Sequence, residues 1–158
     1  MKYKIREMQS SEYSLLDDFL YNAIYIPQGV TPPPKSIIKN AELQVYVKDF
    51  GKYKDDIALV AEAEGMVIGA VWARIMNDYG HIDNDTPSLA ISLYKEYRCK
   101  GIGTDLIQNM LSCLKQKGYK RTSLAVQKTN YAVKMYKKVG FVIVDENQEE
   151  YIMSYELV

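Results

Sequence analysis

The chain has 158 residues, of which 47% are hydrophobic and 25% charged, and these proportions fit one globular domain over residues 1–158. Its 20 basic and 20 acidic side chains cancel to a net charge of zero, which argues against broad nucleic-acid binding. One histidine and two cysteines argue against a metal site built from the usual nitrogen and sulfur ligands.

The sequence gives no sign of membrane insertion or secretion. No apolar run approaches the roughly 20 residues that a helix needs to cross a bilayer. Residues 1–6 alternate in the manner of a strand and lack the apolar core of a signal peptide. Cys99 and Cys113 have neither zinc-site spacing nor a secretory setting, so we expect free thiols. These features predict a cytoplasmic protein that does not bind membranes.

The first part of the chain predicts a strand followed by short helices. Residues 2–7 alternate as a first strand, and Ser10 or Ser11 can cap the helix that follows. That helix carries an apolar face: Leu15, Leu16, Phe19, Leu20 and Ala23. The proline-rich loop 27–34 is either a connector or a wall of a substrate pocket. A second helix is expected from near Asn40 to Gly51.

The middle of the chain predicts a hairpin and a further strand. Residues 57–63 and 66–75 read as strands, and the Glu64-Gly65 pair between them is a hairpin turn signal. Alternation over residues 88–94 predicts the next strand.

The last third predicts a helix, a strand, a second helix and a closing strand pair. In chain order these are a helix ending at Gly118, a strand over 121–127, a helix over 130–139, and strands over 141–144 and 151–157. Together the elements predict a single α/β (α+β) domain. Its central sheet is mostly antiparallel, with a βαβ-like middle and helices on both faces.

Residues 98–104, Arg-Cys-Lys-Gly-Ile-Gly-Thr, form a glycine-rich turn that leads from a strand into a helix. The first N–H groups of a helix lack internal partners and its dipole favours negative charge, so the expected ligand carries phosphates. Arg98 and Lys100 add two cations beside these donors. A dinucleotide-binding fingerprint is excluded because Leu stands at position 106, and no P-loop run is present.

Arg98, Gly101 and Gly103 make an Arg-x-x-Gly-x-Gly pattern that resembles the acetyl-CoA signature of the GNAT superfamily of N-acetyltransferases. A second segment is similar to the family's other cofactor-contacting stretch, through Asn130, Ala132, Tyr136, Gly140 and Phe141. The order of elements also agrees with the family fold over nearly the whole chain. Cys99 departs from the pattern, because many members have glycine there. A positive φ would strain this cysteine, and we expect instead an ordinary backbone conformation and an unreactive thiol.

The resemblance implies that acetyl-CoA is the cosubstrate, and the composition argues against a metal. The pantetheine arm would pair with the backbone of residues 91–93 as an added strand, and a bulged strand next to it would open the slot. The turn over residues 98–104 would hold the pyrophosphate. The implied cofactor-binding residues are Ile91, Ser92, Leu93, Arg98, Cys99, Lys100, Gly101, Ile102, Gly103, Thr104, Asn130, Ala132 and Tyr136.

The same resemblance implies direct transfer of the acetyl group to a primary amine of a small molecule or peptide. Tyr136 is the expected acid for the departing thiolate, although with Ala132 and Val139 it also fits a core stripe. The general base is open between His81, Glu62 and a water relay. The alternative function is a non-catalytic acyl-CoA-binding sensor or interaction module.

The acceptor amine is not identified by the sequence, because a shared fold does not transfer a substrate. Asp78, Asp83 and Asp85 make one loop acidic, and these carboxylates either attract a cationic amine or are simply solvated. Exposed tyrosines among the 14 in the chain are suited to a homodimer interface.

Overall fold

Seven strands and four α-helices are found among residues 2–158, the part of the chain that the computed structural model describes. The strands are β1 Lys4–Glu7, β2 Ile57–Ala63, β3 Met66–Arg74, β4 Ser88–Leu93, β5 Arg121–Gln127, β6 Val142–Glu146 and β7 Glu150–Glu156. The helices are α1 Leu16–Ala23, α2 Ala41–Gln44, α3 Ile102–Gln116 and α4 Ala132–Val139. Short 3-10 segments precede the first three helices, at Ser10–Leu15, Lys35–Lys39 and Lys95–Tyr97.

The strands form one sheet in the order β1-β2-β3-β4-β5-β7-β6. Neighbouring strands are antiparallel except β4 and β5, which run parallel because α3 crosses between them. The predicted mixed, mostly antiparallel sheet with a βαβ-like middle is therefore confirmed. The organisation as one domain over residues 1–158 stays a prediction.

Alternation along the strands divides the core into two layers, one on each face of the sheet. On the α3 face, which α3 and α4 cover, Ile107 and Val71 belong to one buried cluster. On the α1 face, which α1 and the turns after α2 cover, Phe19 and Trp72 belong to a second. The prediction of helices on both faces is confirmed.

Local turn chemistry places the hairpin where the sequence predicts it. Glu64 and Gly65 have φ angles of 52° and 78°, the left-handed pair that a tight two-residue turn between antiparallel strands requires. β5 has the predicted bounds, and β3 ends one residue earlier than expected, at Arg74.

The second helix is shorter than predicted. α2 ends at Gln44, and residues 45–50 form turns. The guanidinium of Arg74 donates to the carbonyl oxygens of Val45 at 3.1 Å and Lys48 at 2.9 Å. Because a buried cation binds these carbonyls, the backbone satisfies them without continuing the helix.

The prediction that Ser10 or Ser11 caps the first helical segment is wrong. Gln9 occupies that position, and its N–H donates to the carboxylate of Glu12 at 2.8 Å. The same carboxylate accepts two hydrogen bonds from Arg6, which lower the pKa of Glu12 to about 2. The capping carboxylate is thus fixed by a cation from β1, which the local sequence does not reveal.

Candidate functional site

β4 and β5 diverge and leave a slot in the sheet. β4 pairs with β3 along its whole length, from Arg74 opposite Ser88 to Gly69 opposite Leu93. It pairs with β5 at one position, where Ser88 lies opposite Ser123. Beyond Ser88, the edge of β4 that faces β5 has no strand partner among the described residues. An extended ligand can therefore pair with this edge as an added strand.

A bulged strand lies next to β4, as the resemblance implied. Ala61 is opposite Gly69, whereas the next residue, Glu62, is opposite Val67, so Ile68 is an extra residue in β3. The slot itself arises from the divergence of β4 and β5, on the other side of β4 from this bulge.

The N-terminus of α3 opens at the mouth of the slot. Gly101 precedes the helix with a φ of 84°, and its carbonyl accepts the N–H of Asp105 at 3.2 Å. The N–H groups of the three residues between them have no partner within the helix. A Cβ on Gly103 would lie 3.6 Å from Cδ1 of Leu93 and 3.7 Å from Sδ of Met135. Three free donors and an open approach suit an anionic group.

Arg98 is not a free cation at this turn. Its Nε donates to the carbonyl of Leu93 at 3.1 Å, and a terminal nitrogen donates to the carbonyl of Asn22 near the end of α1 at 2.9 Å. The side chain therefore ties the end of β4 to the end of α1. Lys100, in contrast, is exposed at the turn.

Cys99 is strained, and the expectation of an ordinary backbone conformation is wrong. Its φ is 61°, in the left-handed region where a Cβ is unfavourable. The exposed thiol donates to the hydroxyl of Tyr131 at 3.6 Å.

Cys99→Gly should stabilise the protein by roughly 0.5–1 kcal/mol, because glycine removes the left-handed penalty and loses only part of that gain to unfolded-chain entropy. Chemical denaturation would measure the change. Cys113→Gly, within α3, is the control and should destabilise by about 1 kcal/mol, because it loses both helix propensity and the packing of the Cys113 side chain on the α3-face core. A Cys99→Gly variant less stable than the wild type would show that the thiol contact outweighs the strain.

Two lysines on α4 lie beside the α3 N-terminus. They are not among the cofactor-binding residues predicted from the sequence. A cleft of about 370 Å³ between α3 and α4 is lined by Thr104, Gln108, Lys134, Met135, Lys138 and Val139. Lys134 and Lys138 are four residues apart and so project from one side of the helix. This spacing in the sequence could have indicated a positively charged surface beside the turn over residues 98–104.

Asn130 caps α4. Its Oδ1 accepts the N–H of Ala132 at 2.9 Å, and its carbonyl accepts the N–H of Val133 at 3.1 Å. The capping role considered for Asn130 is therefore confirmed. A contact between Asn130 or Ala132 and the cofactor stays a prediction.

Tyr136 has a buried ring and an unpaired hydroxyl. The residue is 7% exposed, and its ring centroid lies 5.8 Å from that of Phe141 in the α3-face core. The hydroxyl makes no hydrogen bond to another residue in the described part of the chain. Burial raises the pKa of Tyr136, so its proton is retained at neutral pH. The ring is thus a core residue while the O–H keeps a proton available.

The two candidate bases occupy different places. His81 lies in the β3–β4 loop, where its Nδ1 is 2.8 Å from the carbonyl of Met76. Nδ1 therefore carries a proton, and the lone pair of a neutral ring lies on Nε2. Glu62 lies on β2, with β3 between it and β4, and pairs with Arg6 at 3.0 Å and Lys4 at 3.4 Å. The hydrogen bond from Arg6 lowers its pKa, which disfavours Glu62 as a proton acceptor.

The β3–β4 loop covers the α1 face where β4 and β5 meet. Ser123 Oγ donates to the carbonyl of Gly80 at 2.7 Å, which holds the loop against β5. The three loop carboxylates differ: Asp83 pairs with Arg121, which lowers its pKa to about 2, Asp85 is exposed, and Asp78 accepts the Ser88 hydroxyl at 2.8 Å. The loop is therefore not uniformly solvated.

Two absences bear on the chemistry of the site. Among residues 2–158, no group of three or more His, Cys, Asp or Glu side chains is arranged to hold a metal ion. Within the same residues, no helix combines the length and apolar character needed to span a bilayer.

The comparisons with known proteins agree with this geometry. A sequence model of the Acetyltransferase (GNAT) family matches residues 22–141. An N-alpha-acetyltransferase from Sulfolobus acidocaldarius is 32% identical over 105 residues, which is 61% of this chain and 60% of the relative. The match therefore spans less than two thirds of that protein.

Solved structures share the fold over nearly their whole length. An N-acetyltransferase from Staphylococcus aureus Mu50 superposes with a TM-score of 0.73 at 17% identity and covers 100% of both chains. The PaiA N-acetyltransferase from Thermoplasma acidophilum, solved in complex with coenzyme A, superposes with a TM-score of 0.72 at 22% identity and covers 99% of both.

Proposed function

Because the chain belongs to the Acetyltransferase (GNAT) family, we propose that it is an acetyl-CoA-dependent N-acetyltransferase. The acceptor is a primary amine of a small molecule or peptide. The observation that carries the proposal is the slot between β4 and β5, which opens at the free N–H groups of α3. The alternative, a non-catalytic acyl-CoA-binding module, would use the same slot without chemistry.

The residues around the slot fit acetyl-CoA. The N–H groups that follow Gly101 would hold the pyrophosphate, and the exposed Lys100, with Lys134 and Lys138, would supply positive charge nearby. From Leu93 to Ser88 the free edge of β4 runs about 16 Å. This length is enough for an extended arm to reach the apex of the slot, the narrow end where Ser88 lies opposite Ser123. The backbone of residues 91–93 pairs with that arm, except that the Leu93 carbonyl already accepts Arg98.

Tyr136 supplies the proton that transfer requires. Acetyl-CoA, when bound, supplies a thioester carbonyl open to attack by a neutral amine. As the new C–N bond forms and the C–S bond breaks, the Tyr136 hydroxyl gives its proton to the sulfur. Its buried ring keeps the hydroxyl in a fixed position.

The base is His81 through Nε2, or a water relay. The imidazole Nδ1–H is bound to the carbonyl of Met76, which orients the ring and leaves Nε2 as the acceptor. The cytoplasmic location and a homodimer also remain proposals. The unpaired Cys99 and Cys113 support the first, and the exposed Tyr53 and Tyr131 support the second.

Release of the CoA thiol in the presence of an amine panel tests the proposed activity. Amines, polyamines, amino acids and peptides are each incubated with the protein and acetyl-CoA, and acetylated products are identified by their mass. The proposal expects thiol release together with a product. Acetyl-CoA binding without release from any amine would favour the sensor, and absence of binding would contradict both.

Gly103→Val should weaken acetyl-CoA about 10- to 100-fold, the cost of about 1–3 kcal/mol for an overpacked site. The added methyl groups extend toward Leu93 and Met135 at the mouth of the slot. Titration calorimetry measures the affinity.

Gly103→Ala is the matched control for this variant. Its single Cβ makes ordinary contacts in the protein, so the variant should fold. Its free energy of unfolding should exceed that of the wild type by up to about 1 kcal/mol. Wild-type affinity in the Val variant would remove the α3 N-terminus from the binding site.

A further inference from the structure

Asp78 lies at the apex of the slot, on the face opposite the α3 N-terminus. Its Oδ1 accepts the hydroxyl of Ser88 at 2.8 Å, and Ser88 is where β4 still pairs with β5. Leu89 and Ile91 belong to the α3-face core, so Ser88, on the alternate side of β4, points to the α1 face. Gly103, in contrast, approaches Ile91 on the α3 face.

The two faces of the slot thus differ in charge. Free N–H groups and lysines approach from the α3 face, and a carboxylate closes the α1 face at the narrow end. A ligand arm paired with β4 from Leu93 toward Ser88 would bring its far end to the strand position that Asp78 contacts. Because Asp78 is only partly buried beside the loop, a second reactant can reach that end from the α1 face.

Asp78 has one hydroxyl partner and no cation. The Ser88 hydroxyl donates to its carboxylate, Tyr46 lies close enough to influence its pKa, and neither Lys nor Arg forms an ion pair with it among residues 2–158. Burial raises the pKa of Asp78, since desolvation outweighs its hydrogen bonds. A partly buried carboxylate without a counter-charge costs free energy that a cationic ligand would offset.

Glu150 adds a second negative charge on the same face. Tyr151 and Met153 belong to the α3-face core, so Glu150 points to the α1 face. Burial is the main cause that raises the pKa of Tyr46, and the carboxylates of Asp78 and Glu150 lie close enough to raise it further. Glu150 also forms no ion pair with a Lys or Arg in the described part of the chain.

We propose that Asp78 binds the ammonium group of the acceptor on the α1 face, and that the site therefore selects amines with no carboxylate beside the amino group. This inference rests on the proposed acetyl transfer and names its acceptor class. Ser88 holds the Asp78 carboxylate in place. An amino acid would bring its own carboxylate toward Asp78 and Glu150, and like charges repel.

Two matched pairs of probes test the selectivity: tyramine and tyrosine, and alaninamide and alanine. Each pair differs in the carboxylate beside the amino group or in its neutral replacement. Binding to the wild type is measured by NMR titration with CoA present, and transfer is measured separately by thiol release. We expect at least one amine to bind about 100-fold more tightly than its carboxylate partner.

Asp78→Asn isolates the charge of the carboxylate. The amide oxygen still accepts the hydroxyl of Ser88, and no charge is buried, so the variant should melt at or above the wild-type temperature. The KM and dissociation constant of the preferred amine should rise about 100-fold, with acetyl-CoA affinity unchanged. Asp85→Asn removes the same charge from an exposed position of the same loop and should change neither.

The outcomes separate this inference from the proposed activity. Loss of amine binding in Asp78→Asn supports the inference even when the wild type releases no thiol. Absence of thiol release by the wild type would contradict only the proposed activity. Transfer by the wild type with an unchanged KM in Asp78→Asn would overturn the inference and leave the activity standing. The inference is also overturned when no amine binds more tightly than its carboxylate partner, or when Asp85→Asn weakens binding equally.

Discussion

Tyr136→Phe should lower the turnover number about 100- to 10,000-fold, the range that a positioned proton donor contributes. The variant keeps the aromatic ring that packs on Phe141 and removes only the hydroxyl. Because that hydroxyl has no hydrogen-bond partner in residues 2–158, its loss leaves no unsatisfied group behind. Steady-state thiol-release assays on the preferred amine would give kcat and KM, and calorimetry would give the acetyl-CoA affinity.

The expected pattern distinguishes proton donation from a structural role. An interaction made only in the transition state lowers kcat and kcat/KM equally, so acetyl-CoA affinity should stay within about twofold of the wild type. The melting temperature should not fall. Tyr131→Phe is the matched control, because Tyr131 is 63% exposed beside the turn over residues 98–104. This variant should keep full turnover. An unchanged kcat in Tyr136→Phe would assign the residue to the core alone.

Features with local causes were predictable from the sequence. The β2–β3 hairpin follows from two adjacent turn residues, and the α3 N-terminus follows from Gly101 after a strand. The alternation in β4 also predicts which side chains share a face. In each case the residues that determine the structure lie within a few positions of one another, so a sequence window contains the whole signal.

Features with distant causes were not predictable. The helix expected after Asn40 ends early because Arg74 donates a hydrogen bond to the carbonyl of Val45, 29 residues before it in the chain. Asp78 looked like one of three loop acids because its partner Ser88 is brought to it only by the β3–β4 connection. Cys99 is a separate case, because nothing in the residue type predicts its left-handed φ of 61°.

The buried pair of Arg74 and Asp56 links the fold to the α1-face site. Arg74 donates to both carboxylate oxygens of Asp56, at 3.0 and 2.8 Å, and its remaining donors bind the turns on either side of Tyr46. Trp72 Nε1 donates to the Tyr46 carbonyl at 3.0 Å. Three hydrogen bonds from two side chains of β3, Arg74 and Trp72, therefore hold the segment that carries Tyr46.

Asp56→Asn should destabilise the protein by about 3–5 kcal/mol, because it leaves the Arg74 guanidinium buried without a counter-charge. The side chains of Arg74 and Asp56 are 5% and 1% exposed, so water cannot replace the lost partner. A loss of this size is a large part of the roughly 5–15 kcal/mol that stabilises a typical domain. Urea denaturation monitored by Trp72 fluorescence would measure it.

Asp83→Asn is the matched control, because it breaks an ion pair with Arg121 that is partly exposed to solvent. Exposed pairs contribute about 0–1 kcal/mol, so this variant should melt close to the wild type. At temperatures where Asp56→Asn remains folded, loosening of residues 45–56 should raise the KM of the amine more than that of acetyl-CoA. Equal stability losses in the two variants would contradict the burial argument. Equal changes in the KM of the amine and of acetyl-CoA in Asp56→Asn would show that the Arg74–Asp56 pair does not position the acceptor site.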